Sequence, residues 1–581
     1  MKRILVAAIL MILGSARAGI QAPDSVVVSG ELGKKIDEFL SRLEPWGFSG
    51  AIVVAKDGQI AIANGYGLAD RERKISFTPE TVSSIGSITK QFTAAAILKL
   101  EMLGKLKVDD PIGKYLPGVP EDKAGITIHH LLTHTAGFRG DFGGRDSDPI
   151  PRDDLVALVL AAPLKFTPGQ RYEYSNEGFS LAGAIVERVS GQTYEAFLAE
   201  QLFKPAGMMS TGYVLPKWAP GRLARGYQDG QAWGSITEKG WGPDGPGWYL
   251  KANGGIHSTI GDMHRWHQAL EGERILSKDA KTKFFMPQVR EGPNADSYYA
   301  YGWAIFTTPR KTRLVAHSGG NGVFFADFRR YVDEHVVIYA HSNAEVSAID
   351  VTSIVPAIVF GGTFSLPPAV VAMDASALAA FAGAYELANG ERLKIEVVGG
   401  GLAAVPEGNV VLGLLNGLTP PGSERLGELE TRTKAALEAS GNGDYTVLQK
   451  ALGDVPLERL TMIENRLWDQ RRQKFGEFRR VELVGSERRP AGVAVVARIV
   501  LERGSVLVRF LWDGGILAGR QVLEQPPAPA LLAVAPTEFT SFSLRPASAT
   551  VRLRFEVDAG KVVRSVTISA GSAEAVARKV S

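Results

Sequence analysis

Ser87 and Lys90 stand three residues apart, a spacing that sets two side chains on one face of a helix. They fall in Ile85-Gly86-Ser87-Ile88-Thr89-Lys90-Gln91-Phe92, ahead of an apolar run over residues 93–103. There Ala94, Ala95, Ile97, Leu98, Leu100 and Leu103 recur at helical spacing, and Gly104 marks the stop. A serine hydroxyl is a weak nucleophile until a base accepts its proton, and a lysine is that base only when burial lowers its pKa. The first turn of a helix adds backbone N–H groups aimed at developing negative charge. Such a pair also arises by chance in long chains, so it gains weight only from further residues.

Two other stretches carry suitable groups. Thr167-Pro168-Gly169-Gln170 predicts a turn, and Tyr172-Glu173-Tyr174-Ser175-Asn176 follows in extended or loop backbone, ahead of a helix over 180–189. Tyr174 and Asn176 can then face one cleft. A phenol with a lowered pKa can share the Ser87 proton and protonate a leaving group. The Asn176 amide can hold Lys90 and donate to a substrate carbonyl. The same aromatics could equally pack beneath a loop. His317-Ser318-Gly319-Gly320 lies between strand-like runs at 313–316 and 323–328. Glycine there lets backbone approach a ligand, and on an edge strand the Gly320 N–H can serve as an oxyanion donor opposite the Ser87 N–H.

The elements that position these groups come from 581 residues, enough for more than one domain. The net charge of +3, with no long basic run, gives nucleic-acid binding nothing to stand on. Cysteine is absent, so neither a disulfide framework nor a lipidated cysteine is possible and the core alone must hold the chain. Residues 1–18 read as a secretory signal, with Lys2 and Arg3, an apolar stretch over 4–13, and Ala16-Arg17-Ala18 as the cleavage site. The chain is expected to be exported, periplasmic or extracellular, with no stable membrane span after cleavage. Its apolar run is shorter than the roughly 20 residues that a bilayer requires. A retained anchor is the alternative.

Proline-rich breaks at 366–368, 419–422 and 525–529 divide the chain. Before the first, residues 50–55 and 59–64, joined through Lys56-Asp57-Gly58, predict a hairpin. After the second, 425–452 reads as helical and 481–524 as successive strands. After the third, 550–557 alternates cleanly and Asp558-Ala559-Gly560-Lys561 turns it back through 562–568. Residues 376–418 supply only a few strands with open edges, and 539–581 supply more. The two flanks are expected to pair as one β-barrel-like domain, with 425–524 inserted in one of its loops. Three consecutive domains are the alternative.

In motif order and spacing the chain resembles the penicillin-recognising serine hydrolases: class C β-lactamases, D,D-carboxypeptidases, D-aminopeptidases and family VIII-type carboxylesterases. The resemblance spans residues 36–343. It includes Leu131-Leu132-Thr133-His134-Thr135-Ala136-Gly137, Pro168-Gly169 ahead of Tyr174-Ser175-Asn176, Pro205-Ala206-Gly207-Met208, Gly254-Gly255-Ile256-His257-Ser258-Thr259 and Ser342-Asn343. It implies an α/β (α+β) fold over 30–365, an antiparallel sheet flanked by helices with an all-helical lobe after the nucleophile helix. It also implies Ser87 as the acylated nucleophile, Lys90 as its proton acceptor, Tyr174 as general acid/base and Asn176 as the substrate-amide contact. His317-Ser318-Gly319 takes the place of a Lys-Thr-Gly strand, and neither cofactor nor metal is implied. Residues 381–398 resemble the start of a small β-barrel often appended to this family. Residues 425–524 resemble the cone-shaped α+β fold of the SnoaL-like group.

One departure bears on substrate. The family's lysine faces a substrate carboxylate, whereas a histidine, mostly uncharged at neutral pH, stands at 317. Carboxylate recognition is expected to weaken, which favours an esterase or a D-amino-acid peptidase over a true β-lactamase. Lys311-Thr312-Arg313 does not replace the motif, because arginine stands where the glycine is needed. The expected function is an exported serine hydrolase cleaving a small-molecule ester or amide, or a peptide, through an acyl-enzyme on Ser87. The alternative is a non-hydrolytic penicillin-binding or cell-wall-sensing protein that retains the pocket. A Gly-x-Ser-x-Gly elbow is missing. His130-Leu131-Leu132-Thr133-His134 lacks the glutamate of a metalloprotease, and His264 and His267 lack the acidic or cysteine partners of a zinc site. Oligomeric state is left open.

Overall fold

Asp57 and Gly58 both take left-handed φ, 51° and 75°, as the turn of a two-residue hairpin requires. In the computed structural model they join β2 (Gly50–Lys56) to β3 (Gln59–Tyr66), with β1 (Val27–Val28) on the far side of β3. The structure describes residues 24–138, 144–228, 230–344, 346–422, 426–453, 455–489, 492–523, 530–544, 550–571 and 573–580. The signal-like segment 1–18 and the third proline break, 525–529, lie outside the described residues. The chain divides into two compact units, Met1–Phe364 and Ser365–Ser581.

In the first unit the later strands are β4 (Val289–Arg290), β5 (Ser297–Tyr299), β6 (Ala304–Thr307), β7 (Arg313–Gly320), β8 (Phe325–Tyr331) and β9 (Val336–Ser342). Nine strands pair antiparallel in the order β1-β3-β2-β9-β8-β7-β6-β5-β4. Five helices matter here: α1 (Gly30–Leu43), α2 (Thr89–Met102), α3 (Asn176–Ser190), α4 (Ile260–Glu271) and α5 (Ala348–Phe360). Helix α1 packs on β3 and on α5, and α5 packs on β8 and β9. Alternate strand residues (Ala51, Val53, Ala55, Ala326, Phe328, Val337, Tyr339) enter the core shared with α2, α3 and α4. Helix α2 is buried from Thr89 to Leu98, on every side. It therefore belongs to the interior of the helical lobe, where a side chain such as Lys90 loses its water.

The second unit begins its strands with β10 (Gly383–Leu387), β11 (Arg392–Val398) and β12 (Gly401–Glu407). Then come α6 (Asn409–Leu415), α7 (Gly427–Gly441), α8 (Thr446–Leu452) and α9 (Leu457–Phe475), followed by β13 (Phe478–Arg489), β14 (Gly492–Leu501), β15 (Gly504–Asp513) and β16 (Ile516–Leu523). It ends with β17 (Ala530–Ala535), β18 (Glu538–Thr540), β19 (Val551–Val557), β20 (Val563–Ala570) and β21 (Ala573–Lys579). Eight of these strands close a barrel in the order β10-β11-β12-β17-β18-β19-β20-β21, and β13–β16 form a separate four-stranded sheet. The barrel joins sequence-distant flanks at two seams, Leu402↔Leu531 and Tyr385↔Lys579. Its interior carries Phe381, Tyr385, Phe539 and Phe555.

The second flank thus begins at Ala530 rather than at Phe539. Ala530-Leu531-Leu532-Ala533-Val534-Ala535 is uniformly apolar and shows no period of two, so alternation alone does not reveal it as a strand. Among the described residues no helix is long and apolar enough to cross a membrane.

Candidate active site

The turn that carries Ser87 is tied down from both sides before α2 begins. Ser83–Ser84 pairs with His257–Ser258, the Ile85 N–H donates to the Ile256 carbonyl at 3.0 Å, and the Ile256 N–H donates to Thr89 Oγ1 at 3.2 Å. The 254–259 motif therefore serves to anchor the turn. Ser87 itself lies in a 3₁₀ turn, Gly86–Ile88, that leads into α2, one step earlier than the first α-helical turn expected from spacing. Gly86 enters that turn with φ +52°, and the tighter winding still sets Ser87 beside Lys90.

Lys90 is completely buried. Its Nζ lies 3.0 Å from Ser87 Oγ and donates to the backbone carbonyl of Asn253 at 2.8 Å. It also sits over the rings of Tyr174, at 4.8 Å, and Phe179, at 5.8 Å. Burial pushes its pKa down from 10.5 to about 7, outweighing the opposing pull of the Asp146 and Glu177 carboxylates. At neutral pH a large fraction of Lys90 is therefore a free amine whose lone pair can accept the Ser87 proton.

Tyr174 and Asn176 depart from the extended pair expected. Ser175 takes extended backbone, and its hydroxyl accepts the Gly178 N–H at 3.1 Å, so it caps α3 and places Asn176 in the first helical turn. Tyr174 stays in the preceding loop. Although 39% of Tyr174 is exposed along the cleft, its hydroxyl is densely surrounded, and burial raises its pKa more strongly than a hydrogen bond with Ser87 lowers it. The lowered phenol pKa expected from sequence is thus reversed: Tyr174 is held protonated, able to donate a hydrogen bond rather than standing as a phenolate. Among the described residues no hydrogen bond joins Asn176 to Lys90, whose second partner is Asn253. The Asn176 Oδ1 is buried without a hydrogen-bond partner among the described residues.

His317, Ser318, Gly319 and Gly320 form the end of β7. Strand β6 pairs with β7 only as far as Ala304↔Ala316, whereas β8 continues to Gly320↔Phe325. Inside a nine-stranded sheet the motif is therefore a local edge, and that free edge meets the turn that carries Ser87. A Cβ on Gly319 would stand 2.0 Å from the Ile85 carbonyl oxygen and 2.7 Å from the Ser87 nitrogen, and one on Gly86 would stand 2.5 Å from the Gly320 nitrogen. Only glycine permits this approach. Ser318 and Gly320 are exposed to the cleft, which is about 1200 Å³ in volume.

His317 is buried and held by two bonds, its Nε2 3.0 Å from the Tyr299 hydroxyl and its Nδ1 2.6 Å from the Ser318 carbonyl. A carbonyl can only accept, so Nδ1 carries the proton and Nε2 accepts from Tyr299. Burial, reinforced by Lys90, lowers its pKa to about 4. His317 is consequently neutral at pH 7.

Several contributors were not assigned roles from sequence. Asn253 anchors Lys90 through its backbone carbonyl, while its amide donates to Ser180 Oγ and to the Tyr249 carbonyl. His134, at φ +58°, accepts the Ser175 N–H on Nδ1 at 3.0 Å, and its ring lies 4.2 Å from Tyr174 and 4.5 Å from Tyr299. It thereby sets the loop that carries Tyr174. Tyr172 donates to Glu291 at 3.2 Å at the cleft wall. His134 and Asn253 lie in or beside motifs visible in the sequence, but their partners are 41 and 163 residues away. Among the described residues no group of three or more His, Cys, Asp or Glu side chains is placed to hold a metal ion.

The chain is similar to known proteins in sequence and in fold. The family model described as Beta-lactamase matches residues 44–355. Penicillin-binding protein 4* of Bacillus subtilis (strain 168) is 30% identical over 385 residues, covering 61% of this chain and 84% of that protein. The putative penicillin-binding protein PbpX of the same strain is 33% identical over 276 residues, covering 48% of this chain and 66% of that protein. Among solved structures, the octameric penicillin-binding protein homologue from Pyrococcus abyssi matches with a TM-score of 0.53 at 19% identity. That match covers 94% of this chain and 100% of the homologue, a likeness of fold.

Proposed function

Given that the chain belongs to the beta-lactamase family, we propose that it is an exported serine hydrolase that cleaves an ester or amide through an acyl-enzyme on Ser87. The observation that carries this reading is a fully buried Lys90, with a pKa near 7, 3.0 Å from the Ser87 hydroxyl. Lys90 takes the Ser87 proton as Oγ attacks the substrate carbonyl carbon. The oxyanion so formed faces the Ser87 and Gly320 N–H groups. Collapse breaks the bond to the leaving group, which takes a proton relayed from Lys90 through the Tyr174 hydroxyl. Water then hydrolyses the ester on Ser87 by the same groups in reverse. Asn176, whose side-chain oxygen lacks a partner among the described residues, contacts the acyl-side amide.

A neutral His317 supplies no cation for a substrate carboxylate. The reading therefore favours an esterase or a D-amino-acid peptidase over a true β-lactamase. Offering a short-chain p-nitrophenyl ester, a D-amino-acid anilide, a D-Ala-D-Ala peptide and a chromogenic cephalosporin in parallel tests it. Turnover is expected for the ester or the anilide, and preferential cephalosporin hydrolysis contradicts it. Relatives named penicillin-binding proteins support a second reading, a non-hydrolytic binder. Such a protein forms a long-lived Ser87 adduct without turnover. Export rests on residues 1–18, and the mass of the mature chain tests it. We read 425–524 as a cone-like domain inserted in the barrel.

A further inference from the structure

A second cavity, about 350 Å³, lies far along the chain from Ser87, between α7, α9 and the strands β15 and β16. Its volume is at the lower end of the range of about 300–1,000 Å³ typical of small-molecule pockets. Leu437, Leu448, Val508 and Phe510 give it an apolar wall continuous with the core of this segment. Its polar groups come from one face of α9, where Glu464, Trp468 and Arg471 follow at intervals of four and three residues.

These polar groups are unevenly satisfied. Glu464, 2% exposed, accepts from Arg520 Nη1 at 2.6 Å, so that pair cancels its own charge. Trp468 is fully buried, yet its indole N–H has no acceptor among the described residues. Arg471 has neither a hydrogen bond nor an ion pair among the described residues, and its guanidinium rests 4.8 Å from the Trp468 ring centre. A buried donor without an acceptor is costly, and native proteins rarely leave one unpaired. Here Trp468 lines a cavity beside Arg471, whose attraction to Glu464 is offset by repulsion from Arg520. One net positive charge balances a single carboxylate and undercompensates a phosphate dianion.

We infer that this cavity is a binding site for a small monocarboxylate with an apolar body. The carboxylate accepts the Trp468 indole N–H and takes Arg471 as counter-ion, while the body lies on Leu437, Leu448, Val508 and Phe510. Such a ligand satisfies both idle donors at once and leaves the Glu464–Arg520 pair intact.

The test uses the full chain labelled with ¹⁵N-tryptophan. Its indole N–H spectrum is titrated with octanoate and, separately, with octan-1-ol, and the Trp468 resonance is assigned by its loss in Trp468→Phe. Octanoate is expected to shift the Trp468 resonance saturably at a concentration where octan-1-ol does not. Arg471→Gln is expected to weaken octanoate binding about tenfold or more, and Arg471→Lys to weaken it less. Melting curves and the unchanged resonance of Trp512, the other tryptophan of this unit, confirm that each variant is folded. No shift at millimolar octanoate overturns the assignment. So does an equal response to octan-1-ol, or unweakened binding by folded Arg471→Gln.

Discussion

Lowering the pH titrates Lys90, and the rate at which Ser87 is acylated should follow. The pKa of about 7 makes half of Lys90 neutral at that pH, about a tenth at pH 6 and about a hundredth at pH 5. The second-order rate of Ser87 labelling by a fluorophosphonate should therefore climb about tenfold per pH unit below 7 and level off above 8. That reagent reports acylation-like attack alone, without substrate deacylation. A lysine at 10.5 would be neutral in only about one molecule in 3,000 at pH 7, and its profile would climb to pH 10. The Glu177 carboxylate opposes the shift, so Glu177→Gln should move the midpoint to lower pH. A labelling rate that still rises tenfold per unit between pH 7 and 9 would refute the desolvated-base argument.

Other outcomes follow from the same geometry. Because a Cβ at Gly319 would press on the Ile85 carbonyl and the Ser87 nitrogen, both backbone atoms, Gly319→Ala should push strand and turn apart, lowering ester turnover by about a hundredfold or more and lowering the melting temperature as well. Unimpaired turnover in Gly319→Ala would show that the strand does not meet the turn as described. His317→Lys replaces a neutral ring by a cation, so relative hydrolysis should move toward carboxylate-bearing substrates. An unchanged substrate ratio would count against His317 as the determinant. Lys90 also weighs on stability. Its folded pKa is depressed, so the unfolded chain binds its proton between about pH 7 and 10.5 and the folded chain does not. The penalty is full below about pH 7, at about 5 kcal/mol, and is relieved as pH rises toward 10.5. Lys90→Met removes it and leaves the Asn253 carbonyl unpaired at about 1–3 kcal/mol, for a net gain of about 2–4 kcal/mol at pH 7. Urea unfolding at pH 7 checks this, and a destabilised variant would contradict the burial argument.

What was legible in the sequence was whatever local chemistry dictates. Asp57-Gly58 demanded a left-handed turn, and the apolar run after Lys90 demanded a buried helix. The alternation of Val551, Leu553, Phe555 and Val557 demanded a half-buried strand, and each is found. The pairing of the two flanks, though not the count of eight strands, was legible only from the open edges on either side of residues 425–524, and the first returning strand was not legible, since Ala530–Ala535 lacks alternation. At the site, residue types were legible and electrostatics were not. The raised pKa of Tyr174 depends on burial, and the proton position on His317 depends on the Ser318 carbonyl, a backbone atom that side-chain identity does not reveal. The Asn253 carbonyl that holds Lys90 is a backbone atom, and its side-chain identity carries no trace of that contact.

The most direct measurement is peptide-level mass spectrometry of the full chain caught during turnover of a slow ester, compared with Ser87→Ala and Lys90→Ala. The acyl mass should appear on the peptide containing Ser87, decay as free acid accumulates, and be absent from Ser87→Ala. Each variant should turn over roughly a thousandfold or more slower, with the double variant little worse than either single one. An adduct on any other residue, or full turnover by Ser87→Ala, would contradict the account.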